Sequence, residues 1–319
     1  MGHIEPIRGH RRSSGWIAVT YGVHRPATSA GHDGHPPFWA EEDLAGWQLL
    51  LTNEGCFTGL TALEVWGIPL PPLPERCPVF VALAKNDPRP MRAGVHTSRH
   101  IHPPAHVLVR GLRVASPAEA LTAAARWVGL VDLVAMIDAA LYLGRVTMDE
   151  LEERARSRRP GSRSLRSALA LVDGEAQSPW ESLLRLLHVV CDIRVESQWT
   201  VCDADGVVIA EADLWVCGTT ALPEYDGDEH EKAPRRVKDL RRHRQLDRAG
   251  YVRRGYTSGD VIHRAVTILE DADRALGRPH DPTRIRAWHE LLRVSLFTPA
   301  GRAAFLERLP VAPPRRRTA

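Results

Sequence analysis

Apolar residues recur along this chain with two periods, and the change from one to the other suggests where it divides. Residues 42–53 and 58–66 carry helical spacing, and the second run stops at Gly67 before the turn-rich GIPLPPLPERCP. PVFVALA (78–84), GVHTSRH (94–100) and HVLVRGLRVAS (106–116) have the composition of short strands. Ser116-Pro117 pairs a capping hydroxyl with proline at the first helical position. It predicts a helix over 117–128, followed by another over 130–143 that Gly144 stops. TMDE (147–150) is a capping box for the next helix. The basic loop RARSRRPGSRS (154–164) interrupts the series before a short helix at 164–172.

VDGEAQSP (172–179) is a turn-rich joint and the predicted domain boundary. Beyond it the pattern predicts a helix over 179–190, then strands VESQWTVCD and GVVIAEADLWV around a DADG turn. A helix near 231–249, a strand at 251–257 and a helix over 260–276 follow. Two more helices fall in 283–309, with Trp288, Leu291 and Leu292 on one apolar stripe. The tail PPRRRTA has a disordered composition. The expected division is 1–175, 176–277 and 278–319.

Composition narrows the class. At 319 residues and 44% apolar, the chain can bury ordinary cores. No stretch approaches 18 consecutive apolar residues, and the N-terminus lacks the apolar centre of a signal peptide, so a cytoplasmic protein without a membrane span is expected. Cys56, Cys77, Cys191, Cys202 and Cys217 are scattered without CxxC spacing, which argues against a zinc ribbon or a disulfide framework and suggests small buried residues. The net charge is only +3, but Glu231 to Arg254 holds ten Lys/Arg against three Asp/Glu. Arg richness as such reflects composition, since nearly every cation is arginine. The clustering carries information.

Directly upstream of those cations lies LPEYDGDEHE (222–231). Strand alternation puts Glu211, Asp213 and Trp215 on one face, with Ala210, Ala212, Leu214 and Val216 on the core face. Glu224 and Asp226 likewise share a face, so Asp213 and Glu224 can sit side by side if their strands are neighbours. Converging carboxylates raise one another's pKa unless a cation neutralises them. Mg²⁺ or Mn²⁺, held by carboxylates and phosphate oxygens, is one such cation, and Arg235, Arg236, Lys238, Arg241 and Arg242 would then grip flanking phosphates. The other reading is a solvated turn beside a solvated helix face. Glu181 in SPWE fits a capping box returning to Ser178, and His230 is either an acid/base group or an exposed loop residue.

Taken in order, SPWESLLRLL, Gln198, VIAEADLWV, EYDGDEH, DLRRHRQLDRAGY and TSGDV resemble an endonuclease-like domain related to very-short-patch repair endonucleases, within the PD-(D/E)XK nuclease superfamily. TYGVHRPA, FTGLTALEVWGIPLP, GLRVASPAEAL and IDAALYLGRVTMDEL are similar to the region preceding it in type IV abortive-infection antitoxin-like proteins. The resemblance implies an α/β (α+β) chain: a mixed helix and short-strand N-terminal domain, then a central mixed sheet flanked by helices. It implies a catalytic set of Glu181, Asp213, Glu224, Asp226 and His230, with Asp213 and Glu224 as ligands of Mg²⁺ or Mn²⁺. DNA is the implied substrate and a cognate toxin a further partner.

Three departures bear on activity. Pro223 stands inside a strand, where it removes a ladder donor. Arg253 and Arg254 interrupt the alternation of YVRRGY, and Gly255 replaces an Arg usual in the family. The chain also starts too close to TYGVHRP for a full winged helix. A metal-dependent endonuclease-like protein is therefore set against a non-catalytic antitoxin-like or DNA-binding regulator that keeps the nuclease fold.

Overall fold

The computed structural model describes residues 6–9, 15–27, 37–90, 92–203, 205–227, 242 and 244–309. It falls into two units: residues 1–128, 145–166 and 302–319 form the first, and 129–144 with 167–301 the second. Helices and mixed sheets are both present, as an α/β chain requires.

In the first unit, β1 (Ile7–Arg8), β2 (Trp16–Thr20) and β3 (Val23–Pro26) form a three-stranded sheet, followed by α1 (Glu41–Gln48). A mixed five-stranded sheet comprises β4 (Cys56–Phe57), β5 (Val79–Ala84), β6 (Val95–His100), β7 (His106–Val109) and β8 (Leu112–Ala115). Its strand order is β6-β5-β4-β8-β7, which leaves β6 at one edge. The sequence HVLVRGLRVAS is a hairpin, because Arg110 and Gly111 both take positive φ (49° and 79°), the geometry of a tight two-residue turn. Helices α2 (Gly59–Val65), α3 (Pro117–Ala124) and α5 (Met148–Arg156) complete the unit's core, while α6 (Ser162–Leu169) runs across its limit. Ser116 caps α3, and Thr147 and Glu150 form the expected capping box of α5.

The second unit begins with α4 (Leu130–Tyr142), upstream of the joint expected near 175, so the units are not contiguous in sequence as the 1–175, 176–277 and 278–319 division has them. Two aspartates buried on α4 give the reason. Asp138 accepts from the backbone N–H groups of Asp173 and Gly174, from Ser182 Oγ and from Arg185. Asp132 accepts from Gly129 N, Ser295 Oγ and Leu296 N. Buried carboxylates demand such partners, and theirs lie downstream of residue 172 or beside Asp132 itself.

From α7 (Pro179–Val190) the chain enters the antiparallel hairpin β9 (Val195–Cys202) and β10 (Val208–Val216). Then β11 (Ala221–Tyr225) pairs in parallel with β12 (Val252–Tyr256). Residues 244–248 are helical. Helices α8 (Ser258–His263), α9 (Ala265–Ala275) and α10 (Ile285–Leu292) follow, and α11 (Pro299–Arg308) crosses the unit's limit. The helix expected over 260–276 is broken at Arg264, whose backbone leaves helical geometry (φ −125°, ψ 26°). Ala210, Ala212, Leu214 and Val216 are buried, as the alternation predicts, and Val201, Ala210, Ala212, Leu222 and Leu246 form a core cluster. Trp288 is fully buried and donates from Nε1 to the Val261 carbonyl at 3.0 Å.

Among the described residues, no helix is long and apolar enough to cross a membrane. All five cysteines are free. Cys56, Cys77 and Cys191 are buried, whereas Cys202 is exposed and Cys217 half-buried, which corrects the expectation that all five are buried.

Candidate functional site

Two strands and a helix start bring the candidate acids into one neighbourhood of the second unit. β10 carries Asp213 on the face opposite its buried Ala212 and Leu214. β11 carries Glu224, and the first turn of α7 carries Glu181. Asp213 Oδ2 accepts the backbone N–H of Tyr225 at 2.7 Å. The Asp213 carboxyl is pushed up to about 7 by burial, and the negative charges of Glu181 and Glu224 add to that. The Tyr225 N–H and the Arg242 guanidinium act the other way. Glu181, Asp213, Glu224 and Arg242 therefore form one electrostatic group.

Glu224 has a different environment. It is 3% exposed, and its two oxygens are each taken by a guanidinium: Oε1 by Arg242 Nη2 at 2.6 Å and Oε2 by Arg253 Nε at 2.5 Å. Arg253 also pairs with Asp226. Burial works against the Arg253 charge, but the two carboxylates outweigh it and hold the guanidinium above its ordinary pKa. Arg242 further donates to the Glu211 carbonyl.

The parallel register explains how an arginine comes to this place. Glu224 lies opposite Gly255 and Leu222 opposite Arg253. Residues 253 and 255 share a face of β12, so the Arg253 side chain lies on the same side of the sheet as the position opposite Glu224. The position left as Gly255 is filled by Asp226: a Cβ there would meet Asp226 Oδ2 at 1.7 Å. Gly255 and Arg253 are thus two parts of one arrangement around Glu224 and Asp226.

Pro223 has an equally local consequence. Asp226 N–H donates to the Tyr256 carbonyl at 2.9 Å, on the β12 side. N–H groups alternate edges along a strand, so those of residues 223 and 225 face away from β12. Residue 223 has none, and that of Tyr225 goes to the Asp213 carboxylate. Accordingly β10 and β11 belong to separate two-stranded ladders among the described residues.

Glu181 is capped from Ser178, whose Oγ accepts the Glu181 N–H at 3.2 Å. Its carboxylate does not return to Ser178: Oε2 accepts from Gln177 N at 2.8 Å and from Gln198 Nε2 at 3.1 Å. Gln198 Oε1 accepts in turn from Gln177 Nε2 at 3.1 Å. Gln198 has φ +47° inside β9, between the pairs Ser197–Leu214 and Trp199–Ala212, and so stands across the hairpin from Asp213. Beside this group the Trp180 ring stacks on Tyr225 with centroids 5.7 Å apart.

Of the sequence candidates, Glu181, Asp213, Glu224, Asp226 and Arg242 thus lie in one neighbourhood. His230, Arg235, Arg236, Lys238 and Arg241 lie outside the described residues. Arg253 and Gln198 join this site although neither is among the site residues that the sequence predicts. The signal for Arg253 was its intrusion into an otherwise alternating strand, and for Gln198 only its place in the ordered motifs.

A hard divalent ion needs several oxygen donors with charge to spare. Among the described residues no three His, Cys, Asp or Glu side chains converge to hold a metal ion. The donor chemistry agrees, because Glu224 already spends both oxygens on guanidinium groups. The residues as arranged do not fit Mg²⁺ or Mn²⁺. Comparison with family models, with curated proteins and with solved structures finds no match.

Proposed function

We propose that this chain is a nucleic-acid-binding regulator of antitoxin-like type, in which an endonuclease-like site is neutralised by arginine and carries no turnover. The observation behind this reading is the double guanidinium clamp on Glu224. A buried carboxylate satisfied by two bidentate-capable cations has little to gain from an added ion. The excess of seven positive charges between Glu231 and Arg254 supports DNA as the partner. The sequence resemblance adds a cognate toxin as a second partner, and the chain's hydropathy pattern suggests the cytoplasm as the compartment.

A second reading, a Mg²⁺- or Mn²⁺-dependent endonuclease, is favoured by one specific feature. The Asp213 carboxyl, beside two further acids, is pushed up to about 7 by burial and their charge, the kind of perturbation that gathers at reactive sites.

One set of assays separates the two. Parent protein, Asp213→Asn and Arg253→Met are mixed with plasmid and linear DNA, with and without Mg²⁺ or Mn²⁺, and their thermal midpoints are recorded in parallel. The regulator reading expects salt-sensitive DNA binding, no cleavage and no metal-dependent rise in the parent's midpoint. Metal-dependent cleavage by the parent, lost in Asp213→Asn, would overturn it in favour of the endonuclease.

A further inference from the structure

The basic loop at 154–164 plays no part in the site above, and in the first unit it meets a second group of cations. On the edge strand β6, His96, Ser98 and His100 alternate onto one face. The His96 ring lies 5.2 Å from Phe80 and meets Trp127 edge-on at 4.8 Å between centroids. The Arg126 guanidinium stands 5.0 Å from the centre of that same Trp127 ring. Ser98 Oγ and His100 Nε2 share a hydrogen bond of 3.0 Å.

The charges here do not balance. Arg126 and Arg89 act on His96, while Arg159 and Arg126 act on His100. The acid that acts on His100 is Glu119, which is buried and already pairs with both Arg154 and Arg159. Arg89 and Arg126 are exposed and have no carboxylate partner among the described residues. Burial, reinforced by these cations, pushes His96 down to about 4 and also lowers His100, so both rings are neutral at neutral pH. The loop is seated by Gly161, where a Cβ would meet the Thr122 carbonyl at 2.0 Å, so Arg159 is held near the end of α3.

Three guanidinium groups, those of Arg89, Arg126 and Arg159, beside two neutral imidazoles make a receptor for an oxyanion. Guanidinium supplies paired donors and charge, and the neutral His96 imidazole can donate one N–H; the N–H of His100 goes to Ser98 Oγ, which itself donates to the Val81 carbonyl. We propose that Arg89, His96, His100, Arg126 and Arg159 form a phosphate-binding face on the first unit. The ligand class is a phosphate oxyanion, from either a nucleic-acid backbone or a free phosphate. This proposal does not depend on how the second unit is read.

The test follows the imidazole resonances of His96 and His100 in the full-length protein, assigned with His96→Gln and His100→Gln. Inorganic phosphate and a short single-stranded DNA are titrated separately, with ionic strength held constant by chloride. Both probes should move the two resonances saturably and raise their titration midpoints, because an anion offsets the guanidinium charge. Arg126→Gln should weaken that response about tenfold, the scale of one lost charge-assisted hydrogen bond. Arg89→Gln, at an exposed position without an ion-pair partner, repeats the test if Arg126→Gln fails to fold. A stronger response to the oligonucleotide assigns the face to a strand backbone, and an equal or stronger one to inorganic phosphate assigns it to free phosphate. Resonances that stay fixed with both probes, or variants that respond like the parent, would overturn the proposal.

Discussion

Asp213 reaches across from β10 to take the Tyr225 N–H of β11, a bond of 2.7 Å between a side chain and a strand that shares no ladder with its own. The carboxylate stands where a carbonyl of a continuous sheet would be; at the same edge Pro223 has no N–H, and that of Ala221 goes to Thr219 Oγ1. A structural bond and a perturbed titration are therefore properties of the same group.

The first prediction is the pH dependence of this bond. The Asp213 pKa is raised above its unfolded value, so the native state holds the proton more tightly. The stability this contributes is fully present below about pH 4 and is lost as pH rises through about 7. The Tyr225 amide resonance should titrate with a midpoint near 7. Asp213→Asn should abolish that titration and gain on the parent by on the order of 3 kcal/mol between pH 4 and 8. Equal urea midpoints for parent and variant across that window would refute the assignment.

A second prediction concerns Gly255 and Asp226. Gly255→Ala in the parent should destabilise by about 1 kcal/mol, because the new Cβ drives Asp226 away from Arg253. With Asp226→Ala already present, the same change should be neutral or stabilising, since it then only reduces the freedom of the unfolded chain. Denaturant melts of the four proteins in this cycle measure the coupling. Additive effects would mean that the two residues act independently.

Helix α4 supplies the third. A fragment starting at residue 176 lacks both Asp138 and Asp173, the two carboxylates that pair with buried Arg185. Stranding a buried cation costs about 3–5 kcal/mol, a large share of a domain's stability. The fragment 176–277 should therefore lack a cooperative thermal transition, whereas 129–301 should show one. A sharp transition in the shorter fragment would show that α4 is dispensable.

The fourth tests the backbone at Gln198. Its φ of +47° disfavours most side chains and least of all glycine. Gln198→Gly should be at least about 1 kcal/mol more stable than Gln198→Val, by chemical denaturation. Equal stabilities would argue that β9 relaxes to an ordinary strand once the amide is gone.

Local signals were legible in the sequence wherever one residue type decided the outcome. The Ser116 and Thr147 caps, the turn before Val207 and the buried face Ala210-Ala212-Leu214-Val216 were all visible, because caps and alternation need only near neighbours. The shared neighbourhood of Asp213 and Glu224 was expected from the same alternation. What could not be seen was the parallel register of β11 on β12, which spans about thirty residues and decides that Arg253 reaches Glu224. The membership of α4 was hidden for the same reason, since Asp132 finds its partners Ser295 and Leu296 more than 160 residues away. The contiguous boundary drawn at 175 followed turn composition, which carries no information about such distant partners.

Arg253 lastly changes how this site relates to the solution around it. A diffusible ion occupies a carboxylate site only to the extent that its free concentration allows, and it exchanges or is stripped by chelators. A guanidinium tethered to the neighbouring strand is present at a high effective concentration fixed by the chain itself. Neutralisation of Glu224 is then insensitive to how much magnesium the cell or the buffer contains. The protein carries its own counterion, encoded in the gene and renewed with every copy of the chain.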